Sequence, residues 1–307
     1  MAGFLVGAAL LLLSATGLLR LLTAHTPLSV IKGIQLGTGL SLILSSTPLL
    51  TSPSHIPYLP SPLLAFLALP PLLLSLRSPR FPSALLLIFF GILLALPHHL
   101  PSFKHWNPHL HIPFTTTYAP ALSMALAQLP LTTLNSILAV TSLSSSLLPE
   151  VSPPSTTALG LSVAAMNLSC TFLRSMPVCH GAGGLAAQFR FGARSGASVI
   201  ILGTTKVVIG LLFGDSLRGL LEAFPSAVLG VLLVVAGAEL GRCGMLGEGE
   251  EGMTVVLMTA AGMLALKNAA GGFAVGMLWY WAYRGADWWE GRSGETDGDG
   301  ERRALLG

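Results

Sequence analysis

The chain has 307 residues, of which 52% are hydrophobic and only 9% are charged, and its formal net charge at pH 7 is +3. A soluble surface needs about 25% charged residues, so the composition excludes an ordinary soluble protein and favours one that exposes apolar surface to lipid. The charge is dispersed, without a basic stripe, which excludes a nucleic-acid-binding surface. The three cysteines lack metal-ligand spacing, and their odd number argues against a disulfide framework.

Runs of about 20 apolar residues, the length that crosses a bilayer, recur along the chain. The first can also be interpreted as a signal peptide, but it has no basic start and no clear cleavage site. The last is expected to form two shorter helices with a break near 267–272. The predicted membrane spans are 2–23, 27–49, 61–76, 82–97, 119–148, 156–173, 194–214, 219–240 and 253–282.

Proline-rich loops separate several of these spans, at residues 51–62, 77–82 and 97–113. Residues 284–307 are rich in glycine and mixed in charge, and a solvated, disordered tail is expected there. We predict neither a metal nor a cofactor, and we expect the histidines of the third loop to be solvated. They are His98, His99, His105, His109 and His111.

Two parts of the sequence match at an offset of 198 residues. Such matches arise by chance in leucine-rich stretches, but they also occur between the two halves of inverted-repeat transporters. At this offset the counterparts of Gln128 and His180 would precede residue 1, so we expect the first repeat to be incomplete. The matching pairs are Leu19-Arg20 and Leu217-Arg218, Leu22 and Leu220, Pro27 and Pro225, Val30 and Val228, and Gly39 and Gly237.

The segment Met176–Arg194 reads MPVCHGAGGLAAQFRFGAR and lies between two apolar spans. Pro177 disfavours a helix through the residues before it, and the glycines after His180 permit close backbone approach. We therefore predict an extended stretch near 176–180 and a helix that begins within 180–185. The first turn of such a half-helix has free N–H groups and a positive dipole end, which bind an anion without a lysine. The alternative is a glycine-rich contact between packed helices.

Polar residues inside other apolar runs are additional candidates. Lys206 lies in an apolar span, where a lysine is costly unless it is functional or reaches the membrane surface. Thr132, Thr133 and Asn135 can donate to an oxyanion, although the threonines can equally bond back to helix carbonyls. Gln35 is a weaker candidate.

An enzymatic role for Cys179 and His180 is not predicted. Neighbouring residues of an extended segment point to opposite faces, so these two side chains do not form a dyad. The chain also lacks a paired carboxylate set, a metal motif and a nucleophile elbow. We therefore predict that the protein is not an enzyme.

Three segments resemble eukaryotic molybdate transporters related to sulfate permeases. MPVCHGAGGLAAQFRFGARSG resembles the signature of that family. AQLPLTTLNSILAV resembles the opening helix of its second half, and PLSVIKGIQLGTGL a late helix of its first half. The resemblance runs from about residue 2 to about 283. The glycine-rich helix and MPVQP-like half-helix of the family's first repeat are absent from the chain.

The resemblance implies an all-α membrane protein of the sulfate-permease and uracil-permease type. This is an inverted-repeat secondary transporter in which short extended segments lead into half-helices, and a core packs against a gate domain. Residues 1–112 would be the remnant of the first repeat, 113–283 the second repeat, and 284–307 the tail. The anion would bind at Cys179, His180, Gly181, Ala182, Gly183 and Gly184, supported by Thr132, Thr133, Asn135 and Lys206. A side chain at Gly183 is expected to block it.

The predicted function is secondary transport of molybdate across a membrane. Two alternatives remain, a carrier of sulfate and a truncated relative that does not transport. Candidate proton carriers in the spans are His180, Glu222 and Glu239. The expected partners are the bilayer and a tetrahedral oxyanion, with a homodimer left open and no nucleic acid. The expected location is integral and multi-pass, with plasma and vacuolar membrane not distinguished.

Overall fold

A computed structural model describes residues 1–53, 59–77, 81–107, 109, 110, 112 and 118–305, with the backbone alone at 75–77, 287 and 290–305. Every regular element in these ranges is a helix, as the sequence predicts. A π-helical segment (Leu134–Leu138) joins α6 to α7, and a 3-10 turn (Gly214–Ser216) joins α10 to α11. The helices are α1 (Ala2–Ala15), α2 (Leu18–His25), α3 (Leu28–Thr51), α4 (Ser61–Arg77), α5 (Ser83–Ala95), α6 (Tyr118–Thr133), α7 (Ala139–Leu147), α8 (Thr156–Thr171), α9 (Ala182–Arg190), α10 (Ala197–Phe213), α11 (Leu217–Ala223), α12 (Ser226–Gly244), α13 (Glu250–Leu266) and α14 (Ala269–Leu305).

Among the described residues, four continuous helical segments are long and apolar enough to cross a membrane. They are α3, α6 through α7, α10 through α11, and α12. The pair α1 and α2 reaches this length only together, and it bends by 76°. Helices α4 and α5 are apolar but have only 17 and 13 residues.

Three helix breaks have local chemical causes. Gly17 adopts a positive φ of 75° between α1 and α2, so the first predicted span is not one straight helix. Pro225 holds Phe224 in an extended conformation, which splits the predicted span 219–240. Lys267 adopts a φ of 49° between α13 and α14, which confirms the expected break of the last span.

Helices α3 and α12 form the central antiparallel pair. Near one end of the contact, Gly244 lies against the backbone of Lys32, and near the other, Gly230 lies against Leu50. Other helices pack around α3. The largest buried cluster joins residues of α1, α3, α8 and the π-helical segment, among them Ile34, Ile137 and Val163.

At the middle of this pair the two backbones touch at Gly39 and Gly237. A Cβ atom added to Gly39 would lie 2.5 Å from the Gly237 carbonyl oxygen, and one added to Gly237 would lie 2.6 Å from the Gly39 carbonyl oxygen. The contact is therefore reciprocal. Gly39 also approaches Gly241, and Gly237 approaches Ile43, so these neighbours are related by the same offset of 198 residues.

An ion pair fastens the start of α3 to the segment before α13. Lys32 Nζ lies 2.7 Å from Glu248 Oε1, and the two side chains are only 9% and 14% exposed. The same ammonium donates to the Leu246 carbonyl oxygen at 2.5 Å. This second acceptor helps to satisfy a charge that packing removes from solvent.

The backbone of α14 continues as a helix through Leu305. A solvated, disordered tail at 284–307 stays a prediction.

The crossing of α3 and α12 predicts a difference between two glycines. A methyl group at Gly39 meets a backbone oxygen, whereas a methyl group at Gly241 lies 3.5 Å from Leu36 Cδ1, an ordinary contact. Overpacking typically costs about 1–3 kcal/mol. We expect Gly39→Ala to lower the thermal unfolding temperature of the purified protein, and Gly241→Ala to leave it unchanged. Equal unfolding temperatures would contradict the described crossing.

Candidate functional site

The chain leaves helical geometry between α8 and α9. Arg174 adopts a φ of 60° just after α8, and residues 175–181 have no regular secondary structure. Helix α9 then begins at Ala182, with Gly181 extended at φ −74° and ψ 128°. Both the non-helical stretch before His180 and a helix start within 180–185 are thereby confirmed.

A buried side-chain amide holds the middle of this non-helical segment. Asn167 Oδ1 accepts a hydrogen bond from the Val178 N–H at 3.0 Å, and its Nδ2 donates to the Val178 carbonyl at 2.7 Å. The amide also donates to the Val163 carbonyl oxygen at 2.9 Å within α8. Asn167 is 1% exposed. Its side chain therefore takes the place of a neighbouring strand for Val178.

The packing of α1 against α8 encloses this amide. A Cβ atom at Gly7 would lie 3.1 Å from Asn167 Cβ and 3.1 Å from the Ala164 carbonyl oxygen. A Cβ atom at Gly3 would lie 3.0 Å from Thr171 Oγ1. Small residues on α1 thus allow it to lie close behind Asn167.

The first turn of α9 has unused donors. The N–H groups of Gly184 and Leu185 donate to the Gly181 carbonyl oxygen at 3.0 and 3.2 Å. The N–H groups of Ala182 and Gly183 precede these bonds, and within the described chain no side chain caps the turn. Backbone donors and the positive end of the helix dipole therefore meet at this point.

The two central glycines of this turn face different surroundings. A Cβ atom at Gly183 would lie 3.0 Å from Leu42 Cδ1 of α3, whereas one at Gly184 would have no described atom within 4 Å. Gly184 is exposed, and so is Met176 in the preceding segment. A side chain at Gly183 would therefore meet α3, and its expected effect on the anion stays a prediction.

Small apolar residues seat α9 on its neighbours. Ala182 and Ala186 are fully buried, and they cluster with residues of α7 and α12 such as Val140 and Leu240.

The side chains just before α9 differ in their contacts. His180 Nε2 lies 3.0 Å from Ser162 Oγ of α8. Cys179 is exposed, with a free thiol.

The polar candidates Thr132, Thr133 and Asn135 lie where α6 meets the π-helical segment, and not on α9. Thr133 Oγ1 donates back to the Leu129 carbonyl oxygen at 2.8 Å, and Thr132 accepts from Gln128 at 3.3 Å. Within the described residues, Asn135 Oδ1 is buried without a hydrogen-bond partner, as is Ser136 Oγ. Asn135 lies one turn before Ala139, which belongs to the cluster around α9.

Gln35 bridges two helices near the same cluster. It is 2% exposed, and its Nε2 donates to the Ala139 carbonyl oxygen at 3.0 Å. The residue therefore fastens α3 to α7, close to where α9 packs.

Lys206 is not placed with the other candidates. It is exposed on α10, a helix without buried side chains among the described residues. The cavity that it lines, with Trp106 and Asp215, includes no residue of α9 or of the extended segment. The hydropathy pattern indicates depth along a helix but not which helix lies opposite, so the sequence could not show this.

The acidic candidates are engaged in ion pairs. Glu222 is exposed and pairs with Arg218 at 2.8 Å. Glu239 of α12 is mostly buried and lies 2.6 Å from Arg242 and 3.9 Å from Arg190. Across the described residues, no three His, Cys, Asp or Glu side chains are grouped to hold a metal ion. His111 lies outside the described residues.

Sequence reasoning missed Asn167 and Ser162. Asn167-Leu-Ser169 fits the acceptor pattern for glycosylation, and its place in an apolar span argues against that use. The available signal was an amide in a membrane helix just before a proline-containing break, where exposed backbone needs a partner.

Comparisons with known proteins agree on one family. The family model described as "Molybdate transporter of MFS superfamily" matches residues 120–240. Molybdate transporter 1 of Chlamydomonas reinhardtii is 44% identical over 214 residues, which cover 65% of this chain and 40% of that protein. Molybdate transporters 2 and 1 of Arabidopsis thaliana are 35% and 34% identical, and each alignment covers 91% of this chain and 70% of the relative.

The fold also resembles a solved transporter. The transmembrane domain of a cyanobacterium bicarbonate transporter, BicA, aligns with a TM-score of 0.52 at 16% sequence identity, covering 90% of this chain and 74% of that one. The chain spans less than half of the algal relative and 70% of each plant relative. With its apolar helices and these two plant relatives, it is an integral, multi-pass membrane protein that belongs to the molybdate transporter family.

Proposed function

We propose that this protein carries molybdate across a membrane as a secondary transporter, and that the anion binds at the first turn of α9. The observation that carries the proposal is the uncapped half-helix at Ala182, which follows an extended segment within a chain of this family. Transporters commonly bind substrates at such discontinuous helices. A family of transporters also argues against an enzymatic role.

The chemistry of the first turn suits a dianion. Backbone N–H groups that donate to an ionised oxygen form charge-assisted hydrogen bonds, about twice as strong as neutral ones. They are fixed in place by α9, and the helix dipole adds attraction. A Cβ atom at Gly184 would have no described atom within 4 Å, and we propose that a tetrahedral oxyanion reaches these donors through this open space.

Each candidate residue has a proposed role. Cys179, His180 and Gly181 form the approach to the donors of Ala182 and Gly183, and Gly184 keeps the approach open. Thr132, Thr133 and Asn135 form a second layer, which includes a buried Asn135 amide oxygen that no described group bonds. Lys206 has no role in this site, because it lines a different cavity.

We also propose the inverted-repeat organisation, with residues 1–112 and 113–283 as the parts of two repeats. The reciprocal contact of Gly39 and Gly237 supports it, because antiparallel helices related by a two-fold axis make such contacts. Residues 113–117, at the proposed boundary, lie outside the described residues. A homodimer stays a prediction.

The proposal is tested by uptake in cells that lack other molybdate carriers. Expression of the full chain should produce saturable molybdate uptake that excess sulfate reduces only weakly. Stronger competition by sulfate than by unlabelled molybdate would identify a sulfate carrier instead. An absence of uptake with normal membrane abundance would contradict transport by this chain.

The open face of α9 predicts a strong effect at Gly184. A valine there would fill the space through which the anion approaches, so Gly184→Val should reduce molybdate uptake by about tenfold or more, equivalent to about 1.4 kcal/mol. Gly203→Val is the matched control, since it adds the same side chain to an open position on α10. Normal uptake by Gly184→Val at normal abundance would place the anion elsewhere.

The amide of Asn167 predicts coupled losses of stability and uptake. Asn167→Leu keeps the side-chain size but leaves the Val178 N–H and carbonyl unpaired, at about 1–3 kcal/mol for each buried group. We expect a lower unfolding temperature and reduced uptake. Ser169→Ala is the control, because its hydroxyl only bonds back to the Ala165 carbonyl. A wild-type unfolding temperature and wild-type uptake for Asn167→Leu would show that the segment keeps its conformation without this amide.

The position of Lys206 predicts a small effect. Lys206→Met retains an unbranched apolar stem and removes the charge, and we expect the half-saturating molybdate concentration to stay within about twofold of wild type. This expectation reverses the role that the sequence suggests. An increase of tenfold in that concentration would return Lys206 to the anion site.

A further inference from the structure

The last turn of α9 contacts α12 through charge. Arg190 Nε lies 3.9 Å from Glu239 Oε2, and the two side chains are 19% and 11% exposed. Glu239 Oε1 accepts a hydrogen bond from Arg242 Nη2 at 2.6 Å within α12. A buried carboxylate therefore lies between an arginine of its own helix and an arginine of the half-helix.

The buried contacts of α9 with its neighbours are apolar. Its buried residues are Ala182 and Ala186, and they pack on short aliphatic side chains and on Cys243. Gln188 accepts a hydrogen bond from Ser198 at 3.0 Å, but Ser198 belongs to α10, the next helix of the chain. Among the described contacts between α9 and α12, the ion pair is thus the one that joins charged side chains.

The chain is non-helical on both sides of α9. Residues 175–181 precede it without regular structure, and Gly192 follows it with a φ of 100°. A short helix with such joints can shift as a unit, because neither neighbouring helix continues rigidly into it. If Arg190 moves away, Glu239 keeps Arg242 as a partner and no carboxylate is left unpaired.

The position 198 residues before Glu239 differs chemically. It is Ser41, which lines a cavity of about 650 Å³ together with Lys267 and Asn268. No carboxylate lines that cavity among the described residues. The central helix pair therefore has a carboxylate at position 239 of α12 and a hydroxyl at the corresponding position 41 of α3.

We propose that Arg190 and Glu239 form a latch that holds α9 against α12 in one access state and opens in the other. Glu239 is a positioning residue, which acts on the half-helix through Arg190. The inference rests on the proposed transport function, because alternating access requires the substrate-bearing part to move against its neighbours. Since Ser41 replaces the carboxylate at the equivalent position, the latch favours one access state over the other.

The test follows the labelling rate of Cys179 by a maleimide in the purified full chain in nanodiscs, with the modified peptide identified by mass spectrometry. Cys179 is exposed in the state that the latch holds. Arg190→Gln and Glu239→Gln should each lower the labelling rate by about fivefold or more, a typical size for coupling between sites. The double variant should match Glu239→Gln, because the contact that Arg190→Gln removes is already absent there. Arg218→Gln, which breaks an exposed pair, is the matched control without effect.

Transport kinetics give the second readout. The two latch variants should change the turnover for molybdate more than the half-saturating concentration, because the donors at Ala182 and Gly183 are untouched. Arg190→Gln leaves the bond from Arg242 to Glu239 intact, so it decides the question if Glu239→Gln does not fold. Additive effects in the double variant, or an unchanged labelling rate in folded Arg190→Gln, would overturn the latch. If the wild-type chain moves no molybdate, the proposed function fails, while the labelling experiment still decides whether the latch exists.

Discussion

The structure depends on how a non-helical backbone is satisfied inside a membrane. Lipid offers no hydrogen-bond partners, so irregular backbone at membrane depth must find them in protein. Here the partner of Val178 is the side-chain amide of Asn167, which bonds both its N–H and its carbonyl. That bond allows the chain to break after α8 and begin α9 with unused donors. The candidate anion site therefore depends on a residue that lies outside the first turn of α9.

The close packing of α1 on α8 protects that bond. Gly3 and Gly7 bring the α1 backbone close to Thr171 and Asn167. In a membrane, where helix association depends on van der Waals packing more than on hydrophobic burial, small residues permit such contacts. The same device recurs at Gly39, at the crossing of α3 and α12. Glycine thus contributes to this fold mainly by allowing helices to approach.

Local features were predictable from the sequence, and pairwise features were not. Pro177 and the following glycines act on their own backbone, so the break and the start of α9 could be placed within a few residues. The neighbour that a side chain at position 183 would meet, here Leu42, depends on which helix lies opposite. The position of Lys206 in another cavity depends on the same information, which hydropathy does not contain. The role of Asn167 was hidden because its partner lies eleven residues ahead in a different conformation.

The antiparallel pair of α3 and α12 has two chemically different ends. Positions 32 and 230 are 198 residues apart, as are 50 and 248, yet one end joins Lys32 to Glu248 and the other joins Gly230 to Leu50. The glycine crossing fixes the geometry of both ends, so their side chains can diverge. One end of the pair is therefore held by charge that packing shields from solvent, and the other by close packing of uncharged groups, which gives the helix pair a built-in polarity.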